Sequence, residues 1–226
     1  MIMIQKNKKQ QIGMLAFLLV ELVLYYFILT AGGTTLVITS FASIVICFLY
    51  CAAGGKKSDP LFIAALACTV GADFFLVICS PIEQLYGMIC FLTAQTLYAI
   101  RLHRDNKNRV LMVVRVVLIL CAEVITVAVL KENTDALALI SLAYYANLVM
   151  NIAVSFTLLH KNKLLPIGFV LFLLCDTVIG LQMASGVYLN IPEGSMLHNM
   201  IFVGFNLAWF FYLPSQVLIA LSSQRK

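Results

Sequence analysis

LFIAALACTVGADFFLVICS (61–80) and LLPIGFVLFLLCDTVIGLQM (164–183) decide the fold. Each is as long as a helical membrane crossing, which takes about 20 residues for about 30 Å of hydrocarbon. Neither alternates polar and apolar residues, so both read as helices and not as barrel strands. Each carries a single acid, Asp73 or Asp176. A carboxylate at the bilayer centre costs roughly 2.5–3.5 kcal/mol on insertion scales, so two of them at one depth point to a use. Asp73 stands thirteen residues into its span and Asp176 twelve into its own. At 1.5 Å per residue these depths are ~20 and ~18 Å.

The rest of the 226-residue chain is of the same kind. Hydrophobic residues make up 62% and charged residues 11%, and mean hydropathy is +1.00. This composition excludes a soluble globular domain of similar length. Eight spans are predicted, at 12–31, 34–53, 60–79, 84–102, 109–130, 136–158, 164–184 and 198–221. The expected fold class is all-α: a polytopic transmembrane bundle of eight helices, a single domain over 1–226. Short connections make consecutive helices antiparallel neighbours, with Gly32 and Gly33 in the tightest turn.

Charge orients the bundle. With the N-terminus inside, thirteen of the fifteen Lys and Arg fall in inner segments: Lys6, Lys8, Lys9, Lys56, Lys57, Arg101, Arg104, Lys107, Arg109, Lys161, Lys163, Arg225 and Lys226. Lys131 alone lies in an outer loop, and Arg115 lies near the inner end of the fifth span, placed to snorkel. This predicts an integral multi-pass plasma membrane protein with both termini cytoplasmic. The net charge of +5 is spread over five short segments, which favours contact with anionic membrane lipids and excludes a nucleic-acid partner. The first apolar stretch is too long for the core of a secretory signal, so it is read as a span rather than as a leader cleaved after Ala31.

Polar residues inside the spans are the candidate functional groups. Besides the two aspartates these include Glu21, Glu123, Gln95, Tyr98, Tyr144, Tyr145, Asn147, Asn151, Asn206, Tyr212 and Gln216. Buried amides and phenols require partners, so they face the interior, either lining a pocket or joining helices. Glu21 lies lower than the other acids. The three histidines, at 103, 160 and 198, are all near span ends, and the seven cysteines include no CxxC pair, which argues against a metal site. No Ser–His–Asp set, Walker loop or dinucleotide fingerprint is present, so no cofactor is expected. Asp73 with Gln95 in one half and Asp176 with Gln216 in the other hint at a parallel four-plus-four repeat, which would set the aspartates symmetrically about the bundle axis.

Four blocks carry a family resemblance. GADFFLV (71–77) followed by YGMICFLTAQTLYAIRL (86–102), then FVLFLLCDTVIGL (169–181), then FFYLPSQVLIALS (210–222) resemble the signatures of the YhhN-like lysoplasmalogenase family over roughly 60–222. The chain departs from the family pattern at Ala72, which separates Gly71 from Asp73, at Gln95 in place of His, and at Cys175 in place of Ser. The resemblance implies hydrolysis of the vinyl ether bond of a lysophospholipid, releasing a fatty aldehyde and a glycerophospho-alcohol. Asp73 and Asp176 would be the acid–base pair, with Gln95, Tyr98, Asn206 and Glu123 around the substrate. Gln95 cannot itself exchange a proton. Two other readings stay open: a proton-coupled carrier of a small or lipidic solute, and a non-catalytic lysolipid-binding membrane protein.

Overall fold

The computed structural model describes residues 8–54, 58–185 and 189–223. Lys6, Lys56, Lys57, Arg225 and Lys226, part of the basic set assigned to the inner side, lie outside the described residues. Nine α-helices are described: α1 (Lys8–Thr30), α2 (Gly33–Ala53), α3 (Pro60–Asp73), α4 (Gln84–Asn106), α5 (Arg109–Leu130), α6 (Ala136–Thr157), α7 (Leu164–Ala184), α8 (Met196–Ile201) and α9 (Leu207–Ser222). A π-helical turn, Phe74–Ile78, continues α3.

Local chemistry explains the helix ends. Asp59 caps α3 by accepting from Leu61 N (3.1 Å), with Pro60 at the first helical position, where its missing N–H costs nothing. Asn108 and Asp135 cap α5 and α6 in the same way. Gly33 turns the chain between α1 and α2 at φ +58°, a region that glycine enters without steric cost.

Among the described residues seven helices are long and apolar enough to cross a membrane, one fewer than the eight spans predicted. The eighth span is broken. It starts as the short α8, loses helical form over 202–206, and restarts as the 16-residue α9. The physical reason is local: the Asn206 side chain accepts from Trp209 N (3.2 Å) and so starts a new helix where the old one was expected to continue. At 1.5 Å per residue α9 spans only about 24 Å.

The packing order separates a centre from a periphery. α3 packs on α2 and α4, α4 on α6, α6 on α7, α7 on α9, and α9 on α2. α1 leans on α2 and α9, and α5 on α6. The two flanking helices turn apolar side chains outward, among them Leu15, Leu22 and Val23 on α1 and Val110, Val124 and Val129 on α5. In water such surface would drive association, whereas lipid solvates it. α7 and α9 approach closely at Gly168, where an added Cβ would lie 3.2 Å from Ser215 O.

One end of the bundle is tied by charge. Buried Asp59 pairs with Arg101 (Nε to Oδ2, 2.6 Å) and with Arg104, while its backbone N–H donates to Ser223 O (3.2 Å). Asn162 Nδ2 donates to Ser222 O (3.0 Å) at the same end.

Candidate active site

Asp73 is the last α-helical residue of α3, at the point where the backbone widens into the π turn. Single π turns inside longer helices recur at functional sites. The Asp73 side chain is buried, 3% exposed, and its Oδ2 accepts a hydrogen bond from the Tyr212 hydroxyl of α9 (2.7 Å). Asp176, half-buried on α7, accepts from the Tyr144 hydroxyl of α6. Each carboxyl therefore has its own phenol.

Aromatic rings join the two pairs. Phe91 of α4 stacks on Tyr144 (centroids 5.6 Å) and meets Tyr212 edge-on (6.4 Å). Phe172 of α7 lies 6.4 Å from Tyr144 and 5.3 Å from Tyr212. Asp73 and Asp176 sit within electrostatic reach of each other, and of Cys175. The sequence predicted that the acids would meet if α3 and α7 were adjacent. In the structure α3 packs chiefly on α2 and α4, and α7 on α9 and α6, so the two helices are not principal neighbours. Rings from α4, α6, α7 and α9 connect the two phenols that hold the acids.

The other predicted residues fall into four groups. Gln95 and Tyr98 are fully buried on α4. Gln95 lies one turn from Phe91, and its Oε1 accepts from Asn151 Nδ2 (2.8 Å). Gln95 Nε2, Asn151 Oδ1 and Gln216 Oε1 are buried without a hydrogen-bond partner among the described residues. Tyr98 wedges between Phe62 and Phe169, with its hydroxyl toward Thr69. Asn206 is a helix cap at the break and borders a hollow of ≈ 540 Å³ with Ile28, Gln182 and Phe205. Glu123 lies on α5, which packs on α6 and away from the carboxyl pair. Glu21 forms its own buried cluster, accepting from Ser43 Oγ (2.6 Å) and Cys47 Sγ (3.5 Å).

Among the described residues, no group of three or more His, Cys, Asp or Glu stands where it could hold a metal ion.

The YhhN family model matches residues 36–223, which covers α2 through α9 and both aspartates. The chain belongs to the YhhN family. No curated protein and no solved structure matches it. Within this YhhN-family protein, α1 with Glu21 stands before the matched region, whereas its partners Ser43 and Cys47 lie inside it. The carboxyl pair, both phenols and both phenylalanines lie inside it.

Sequence reasoning named Tyr144 and Tyr212 only as interior polar groups. It missed their pairing with the acids, and Phe91 and Phe172 altogether. Tyr212 is four residues before Gln216 and Phe91 four before Gln95. This shared spacing was a usable signal that positions 91 and 212 face the same region.

Proposed function

We propose that this protein is an intramembrane lipid hydrolase that cleaves the vinyl ether bond of a lysophospholipid, with Asp73 and Asp176 as its acid–base pair. One observation carries the reading: two carboxyls from separate helices, each hydrogen-bonded to a tyrosine whose ring packs against Phe91 and Phe172. Membership of a family that includes lysoplasmalogenases supports it.

The chemistry follows from the groups present. In a medium of low dielectric, two nearby carboxyls share one proton more readily than they hold two charges. The protonated member delivers its proton to the alkene carbon distal to the ether oxygen. The π electrons form the new C–H bond and leave an oxocarbenium ion, which the ionised partner stabilises. Water adds to the cationic carbon and gives its proton to a carboxylate. The hemiacetal then breaks its bond to the glycerol oxygen, which takes back a proton. One water is consumed, and one aldehyde and one glycerophospho-alcohol leave. Tyr144 and Tyr212 fix the aspartate oxygens and can trade protons with them.

The test is aldehyde release from a lysoplasmenyl lipid by purified protein. Asp73→Asn and Asp176→Asn each lower turnover by roughly 10²–10⁴, the usual worth of a positioned acid or base, with folding unchanged. Full activity in either variant removes that residue from the mechanism.

The packing order favours a second reading. Exchanging α1, α2, α3 and α4 for α5, α6, α7 and α9 maps most of the helix pairings onto one another, as in carriers built from parallel repeats. Proton-driven lipid or solute flux in proteoliposomes, with no chemical turnover, would assign the protein there.

A further inference from the structure

Arg115 is the only basic residue among the described residues that is buried, at 7% exposure. The sequence placed it to snorkel toward the membrane surface, and in the structure it is buried against Asn147 of α6. Arg115 lies six residues into α5, about 9 Å from its start. Its Nη1 donates to the backbone oxygen (3.2 Å) and the Oδ1 of Asn147. Asn147 lies ten residues before the end of α6, about 15 Å along that helix. The start of α5 lies near the end of α6, because Asn106, which ends α4 three residues before α5 begins, donates to Thr157, the last residue of α6 (2.5 Å). The guanidinium therefore reaches several ångströms deeper than its own Cα.

That position costs solvation without an opposite charge to offset it. The ion pairs among the described residues join Arg101 and Arg104 to Asp59 and Asp105, and none includes Arg115. Its Nε and Nη2 atoms are buried with no hydrogen-bond partner. These two N–H groups form one edge of the planar guanidinium, the edge that grips two oxygens of a phosphate at once. His103 Nε2, also buried and unpartnered, lies within electrostatic reach of the same charge. Asn147 is one helical turn from Tyr144, whose phenol holds Asp176. The rise from Asn147 to Tyr144 along α6 is about 5 Å, a span that a glycerol backbone bridges.

We propose that Arg115 binds the phosphodiester of the lysophospholipid and so sets the depth at which its ether bond meets Asp73 and Asp176. The inference rests on the proposed hydrolase reading for what happens at the acids, and on Arg115 alone for the phosphate. Entry is from the side. α5 packs on α6 with only Arg115 and Thr126 buried along it, so a small outward lean of α5 uncovers the guanidinium to a lipid.

The experiment measures binding by native mass spectrometry in detergent, with ligands that cannot be hydrolysed. The probes are a saturated 1-alkyl lysophospholipid, the matching 1-alkylglycerol that lacks phosphate, and inorganic phosphate. Wild type binds the phospholipid at least tenfold more tightly than the alkylglycerol. Arg115→Gln removes that preference and leaves alkylglycerol affinity unchanged, while Arg115→Lys, which keeps the charge but loses the fork, falls between. An equal preference in wild type, Arg115→Gln and Arg115→Lys overturns the inference. Inorganic phosphate that binds as tightly as the phospholipid assigns the site to a free anion and overturns the lipid assignment. Phosphate-dependent binding without aldehyde release from a vinyl ether lipid sinks the hydrolase reading and leaves the assignment of Arg115 intact.

Discussion

At the scale of single residues, the carboxyl pair is defined by its phenols as much as by its depth. Tyr144 and Tyr212 come from different helices, and each gives its hydroxyl to one aspartate. Replacing either with Phe keeps the ring contacts to Phe91 and Phe172 and removes only the hydrogen bond. Tyr144→Phe and Tyr212→Phe are expected to lower turnover roughly tenfold, with little change in KM, because the loss falls on the reacting geometry and not on lipid binding. Steady-state aldehyde release checks this. That Asp73 and Asp176 lie well inside long apolar helices was legible from residue counting alone. Their phenols were not, because a hydrogen bond between helices depends on packing order, which no single span encodes.

At the scale of elements, hydropathy located the spans and overlooked their irregularities. The window over 198–221 averages high, so the break around Asn206 is invisible to it, although Gly204 and Asn206 are residues that interrupt helices. The π turn after Asp73 has no composition signal, since Phe74–Ile78 is apolar throughout. Close packing is also an element property. An added Cβ at Gly168 would meet Ile219 Cγ1 at 3.0 Å and Ser215 O at 3.2 Å, whereas at Gly180 it meets nothing within 4 Å. Gly168→Leu is therefore expected to destabilise the α7–α9 pair by about 1–3 kcal/mol through overpacking, while Gly180→Leu stays near neutral. Thermal unfolding in detergent separates the two.

At the scale of the whole molecule, Asp59 ties distant parts of the chain together. It caps α3, pairs with Arg101 and Arg104 of α4, and its N–H holds Ser223 after α9. Asp59→Ala leaves two cations without their shared anion. Breaking such a buried pair costs about 3 kcal/mol here, the low end of the range because Arg104 is half exposed. The expected result is a lower midpoint for the entire unfolding transition, with aldehyde release per folded molecule unchanged. The all-α membrane architecture was legible because lipid demands long apolar helices whatever their order. The order itself, with α1 and α5 outside and α4, α6, α7 and α9 supplying the rings that join the two phenols, emerges only from packing.

The central claim is that Asp73 and Asp176 pass a proton to carbon. The direct measurement runs the reaction in D₂O, traps the aldehyde as it forms and reads its mass. The expected wild-type product carries a single deuterium on the carbon next to the carbonyl, and Asp73→Asn and Asp176→Asn each release it roughly 10²–10⁴ times more slowly. An unlabelled aldehyde, or labelled aldehyde formed equally fast by both variants, would contradict the claim.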